Sequence, residues 1–123
     1  MNFKSLHILS LFTFLWVSAF SFAQTNEERK KSADKNFENE NYVAATTDYL
    51  HLLSLDPMSH ELNFKYGACL LYNSKNKGKA IRYLNYAVQD ENADPRAHYF
   101  RGRALHLNFQ FEEAKQNYKK LQG

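Results

Sequence analysis

The chain has 123 residues with a net charge of +3, 44% hydrophobic and 15% aromatic residues, and one cysteine. That length holds one domain. The charge is small and its signs are interspersed, which excludes a nucleic-acid binder built on a basic face, and one cysteine excludes an internal disulfide.

Residues 1–23 read as a leader outside the fold. Lys4 gives a short positive start, residues 6–22 are dominated by Leu, Phe, Ile, Val, Trp and Ala, and Ser21-Phe22-Ala23 is a small-x-small cleavage site. This is the pattern of a secretory signal peptide, with Gln24 as the new N-terminus. An uncleaved anchor is the alternative, but the apolar run is barely long enough to span a bilayer and His7, Ser10 and Thr13 interrupt it. No cysteine lies near the cut for a lipid anchor. Removing the leader removes Lys4 and leaves a net charge of +2, with 15 Lys and Arg against 13 Asp and Glu.

Six helices are predicted after the leader. The first, over 25–39, is the most polar, with Glu27, Glu28, Arg29, Lys30 and Lys31 in a run and Ala33 and Phe37 one turn apart on the inner face. Asn39-Glu40-Asn41 is a turn. The second helix, 42–55, points Tyr42, Ala45, Tyr49, Leu52 and Leu53 inward and stops at Asp56-Pro57, because the residue before proline avoids the helical region. Ser59 caps a third helix running to Asn73, apolar on nearly every side, as expected of an element covered on two faces. Cys69 falls in it as a small buried residue rather than a reactive thiol.

Residues 74–78 form a loop before a fourth helix, 78–90, carrying Ala80, Ile81, Leu84, Ala87 and Val88. Asp94 caps the fifth helix and Pro95 opens its first turn. The sixth, 111–121, sets Phe111, Ala114, Tyr118 and Leu121 in one stripe, with Lys115, Lys119 and Lys120 off it and Glu112 and Glu113 at its start, where the dipole favours them. The chain offers nothing beyond it to cover an outward-facing part of that stripe.

A period ties these helices together. Ala33, Gly67 and Gly102 are 34 and 35 residues apart; so are Ala45, Ala80 and Ala114, and Tyr49, Leu84 and Tyr118 follow the same step. Each unit thus carries a small residue in its first helix and a small and a large residue one turn apart in its second. Two antiparallel backbones can then approach closely, with the large side chain filling the space beside them. Over 26–123 the chain resembles the tetratricopeptide repeat family. The resemblance implies an all-α, right-handed α-solenoid of three helix-turn-helix repeats, about 26–59, 60–94 and 95–123, in a domain spanning 24–123.

In that family the first helices of the repeats line a concave groove. Carried onto this chain, the groove receives Lys30, Asp34 and Phe37, then Glu61, Phe64, Ala68, Leu71 and Tyr72, then Arg96, Tyr99, Arg103 and His106. Phe64, Leu71, Tyr72, Arg96, Tyr99, Arg103 and His106 form the expected partner-binding set: apolar in the middle, basic toward the C-terminal end, suited to a peptide bearing acidic and apolar groups. Some members grip a terminal carboxylate with Lys and Asn. Here Lys30 matches, but Asp34 and Lys65 stand where the two Asn are needed, so that clamp is not expected.

Chemistry is not indicated. His51, His60, His98 and His106 lie on separate elements at no ligand spacing, and the four glycines form no phosphate loop. No enzyme activity, cofactor or metal is expected, and the aromatics at helical spacing read as core rather than base-stacking surface. The Leu-Tyr-Asn end of the third helix, the 99–114 run and the leader ending in Ala-Gln resemble the N-terminal part of Bacteroidota envelope proteins. In these a tetratricopeptide domain precedes a β-propeller and an OmpA-like domain, and some serve type IX secretion. The resemblance implies an exported, periplasmic protein–protein scaffold. The alternative is an N-terminal positioning module of a longer envelope protein, with contact through helix 111–121.

Overall fold

The computed structural model describes residues 25–75 and 77–122; the leader reading lies outside them. Among the described residues there are six α-helices and no strand. They are α1 (25–38), α2 (Tyr42–Leu55), α3 (His60–Asn73), α4 (Gly78–Ala87), α5 (Pro95–Leu107) and α6 (Phe111–Lys120). Consecutive helices pack as antiparallel pairs, and α3 and α5 also touch each other. This is an all-α solenoid of three helix-turn-helix repeats. None of these helices is long and apolar enough to cross a membrane.

Local chemistry sets the boundaries. The Ser59 hydroxyl accepts from Leu62 N at 3.2 Å, and the Asp94 carboxylate accepts from Arg96 N at 2.9 Å with Pro95 in the first turn. Each cap satisfies a backbone donor that the first helical turn leaves without a partner. α4 ends at Ala87, three residues before the sequence-based expectation. Beyond it Asp90 Oδ1 accepts from Asn92 N at 2.9 Å, a local bond that offers the backbone an alternative to the helix.

The turns inside repeats 1 and 3 are built alike. Asn41 N bonds Asn36 O at 2.8 Å and Gln110 N bonds Leu105 O at 2.9 Å. Each wraps the helix end through one residue in the left-handed region, Glu40 with φ 59° and Phe109 with φ 63°. Glycine normally fills that position, and an aromatic with an 82% exposed side chain gains little there. Phe109→Gly is therefore expected to raise stability by about 1 kcal/mol, read as a higher urea midpoint at unchanged slope.

The three ladders read from the period are the contacts that close the pairs. Ala33, Ala45, Tyr49, Ala80 and Leu84 are fully buried, and Ala114 nearly so. A Cβ placed on Gly67 would lie 2.8 Å from Leu84 Cγ, and one on Gly102 would lie 2.7 Å from Tyr118 Cε1. At the centre, the Phe37 ring meets Tyr42, Tyr49, Phe64 and Phe100 at centroid distances of 5.3, 5.9, 5.6 and 6.3 Å. One side chain thereby joins α1, α2, α3 and α5. Cys69 is fully buried, and burial pushes its thiol up to about 12, so it acts as a small core residue.

Candidate functional site

The face shared by α1, α3 and α5 carries a hollow of about 550 Å³, lined by Tyr42, Tyr72, Arg96, Tyr99, Phe100 and Arg103, with Glu38 and Glu40 at its rim. Tyr42 stacks on Tyr72 with centroids 4.3 Å apart and planes 14° apart. Tyr72 and Tyr99 are 42% and 41% exposed, so their rings present apolar surface to a partner. They are held there by the last turn of α3 and the middle of α5.

The two arginines of the hollow differ. Arg96 forks onto Glu38 at 3.0–3.3 Å and onto Asp94 at 2.8–3.2 Å, while its guanidinium lies 5.7 Å from the Phe37 ring and 5.8 Å from Phe64. Its hydrogen bonds to Asp94 and then to Glu38 hold its proton more tightly than usual, and the bond that Asp94 accepts from Arg96 holds that carboxyl below its ordinary value. Arg103 lies 5.6 and 5.9 Å from the rings of Tyr72 and Tyr99 and donates to Tyr72 Oη at 2.8 Å. No carboxylate of the described residues pairs with it.

Further along the same face, two cations and two carboxylates close a ring. Lys65 Nζ donates to Asp34 at 2.7 Å and Glu61 at 2.8 Å, and Lys30 Nζ donates to the same pair at 2.9 and 3.0 Å. The Tyr49 hydroxyl, deep in the core, donates to Asp34 Oδ1 at 2.7 Å. Burial opposes the Asp34 charge, but the bonds from Lys65, Lys30 and Tyr49 outweigh it and hold the carboxyl below its usual value. Glu61 is held down chiefly by Lys65. Tyr49 is pushed up by burial first and by its bond to Asp34 second. Asp34 and Lys65, where the sequence departs from the carboxylate-gripping pattern, thus bond each other.

The predicted groove set divides. Tyr72, Arg96, Tyr99 and Arg103 come together around the hollow. Phe64 and Leu71 lie in the core, 2% and 5% exposed, because α3 is covered on both sides, and offer a partner little surface. Phe37 and Ala68 are core as well. His106 sits apart, edge-on to Phe111 at 5.1 Å, in a separate hollow against α6.

Sequence reasoning placed Tyr42 inward and did not reach Glu38 as the partner of Arg96. The available signal was the short turn at 39–41, which returns Tyr42 to the end of α1 beside the last turn of α3. A second hollow of about 590 Å³, lined by Leu50, Leu53, Met58, Tyr83 and Tyr86 between α2 and α4, is mostly apolar. Its one cation, Arg82, is engaged with the neighbouring Tyr83. Among the described residues no group of three or more His, Cys, Asp or Glu side chains could hold a metal ion.

Solved structures similar in shape to this chain include tetratricopeptide domains. The second such domain of Spaghetti (RPAP3), bound to the HSP90 peptide SRMEEVD, superposes with a TM-score of 0.66 at 20% identity, over 85% of this chain and 95% of that one. The first domain of the same protein, bound to the same peptide, gives 0.65 at 24% identity over 80% and 77%. SycD, the type III secretion translocator chaperone of Yersinia enterocolitica, gives 0.63 at 20% identity over 81% and 74%. These likenesses establish the fold. No family profile matches the chain, and no curated protein does.

Proposed function

We propose that this chain is an exported, non-catalytic protein-interaction module that holds a segment of another protein on the face shared by α1, α3 and α5. The observation that carries the reading is the exposed pair Tyr72 and Tyr99 around Arg103, a cation with no carboxylate partner among the described residues. Aromatic and arginine side chains set together in a hollow are the groups that most often anchor a protein interface. The similar Spaghetti domains are seen holding a peptide, and SycD is described as a chaperone, which agrees with a binding role for this shape. Export to the periplasm or cell envelope of a Gram-negative bacterium rests on the leader alone. A second reading, a positioning module of a longer OmpA-like envelope protein, draws on the exposed Leu107, Phe111 and Leu121 at the α5–α6 end.

Affinity capture from a periplasmic extract tests the first reading, with the Tyr99→Ala/Arg103→Glu double variant as control. A partner retained by the wild type and lost by the variant is the expected result. Equal retention by both moves the contact away from the hollow and toward the α6 face.

A further inference from the structure

Building on the peptide-holding reading, we infer that the hollow selects a segment with one acidic side chain flanked by apolar residues, its carboxylate docking on Arg103 between Tyr72 and Tyr99. The charge inventory of this face leads there. Lys30 and Lys65 are satisfied by Asp34 and Glu61, and Arg96 is satisfied by Glu38 and Asp94. An incoming acid at any of these cations must compete with an internal carboxylate that already neutralises it. Arg103 spends donors on the neutral hydroxyls of Tyr72 and Tyr99 and keeps others of its five for a ligand. Its planar head already lies against two aromatic rings, so little of its freedom is left to lose on binding.

The rim sets how much negative charge is welcome. Glu40 lines the same hollow, and no cation of the described residues pairs with it. With one unpaired cation and one unpaired carboxylate lining it, the hollow accepts a monoanion and disfavours an acidic run or a phosphate dianion, because like charges raise the energy of each added negative group. The stacked Tyr42 and Tyr72 rings and the exposed face of Tyr99 give the flanking residues apolar surface to cover.

The test is selection of displayed nonapeptides of random sequence on the full chain, followed by binding of the selected peptides resynthesised with acetylated and amidated ends. The wild type is expected to enrich one Asp or Glu between apolar residues. Changing that acid to its amide should weaken binding about tenfold, the size of one charge-assisted contact. Arg103→Gln should abolish the acid preference while apolar enrichment persists, and Lys30→Gln should leave both unchanged, with melting curves confirming that each variant is folded. Apolar peptides without an acid, an acid preference that survives Arg103→Gln, or tighter binding when phosphoserine replaces the acid would each overturn the assignment while leaving the peptide-holding reading in place. Failure to enrich any peptide would remove both.

Discussion

Gly67→Leu is expected to lower the unfolding free energy by about 2–3 kcal/mol, which for a domain of this size is a drop of roughly 10–20 °C in melting midpoint. The first atom of the new side chain alone would sit 2.8 Å from Leu84 Cγ and 3.2 Å from Tyr83 Cβ. Leu84 is fully buried and has no open side to move into. The helix itself favours leaving glycine by about 0.5–1 kcal/mol, so overpacking must first overcome that gain. Gly102→Ala is the matched control. Its new atom meets the Tyr118 ring at 2.7 Å, but that ring is half-buried and can swing outward. The control should stay within about 1 kcal/mol of wild type. Equal losses in thermal melts of the two variants would mean that the α3–α4 contact is no tighter than the α5–α6 contact.

Asp34→Ala should cost about 1–3 kcal/mol, because removing one member of a half-buried, hydrogen-bonded charge network leaves its buried members, Lys65 and the Tyr49 hydroxyl, short of a partner. The Tyr49 hydroxyl loses its acceptor inside the core, and Lys65, only 8% exposed, keeps Glu61 alone. Adding Lys65→Met to Asp34→Ala should recover part of the loss, a coupling that urea melts of the four combinations would measure. The pH dependence has a defined sign. Asp34 and Glu61 are held below their ordinary values of 3.8 and 4.5, so the folded state releases their protons more readily than the unfolded chain. The stability they contribute is complete above that range and is lost as pH falls through the lower folded values. Asp34→Ala should therefore show a shallower acid limb than the wild type.

The fold was legible because its determinants are local and repeated. The step from Ala33 to Gly67 to Gly102 marks where backbones approach, and Ser59, Asp56-Pro57 and Asp94-Pro95 mark where helices start and stop; each acts within a few residues. The end of α4 was missed because the competing bond from Asn92 to Asp90 is as local as a helical one and leaves no period behind. The site was legible only in part. Tyr72, Tyr99, Arg96 and Arg103 could be placed on one face, but whether a residue on that face is floor or surface depends on what covers it. Phe64 and Leu71 have the same type and spacing as an open groove lining, and the flanking helices bury them. The pairing of Arg96 with Glu38, 58 residues away, depends on how repeat 3 sits over repeat 1, and no residue pattern within either repeat states that.

Stacked repeats ordinarily touch only their immediate neighbours, so their unfolding can run along the stack one unit at a time. Here Phe100 of repeat 3 meets Phe37 and Tyr42 of repeat 1 directly, at 6.3 and 5.9 Å, and Arg96 bridges to Glu38 across the same span. The outer units are fastened to each other as well as to the middle one. Unzipping from the first helix must undo contacts to the fifth, which joins α1 through α5 into a single cooperative block. α6 reaches that cluster only at its edge, through Tyr118 against Tyr99 at 6.3 Å, so it is the segment freest to fray, and amide protons there should exchange with solvent before those of the other five helices.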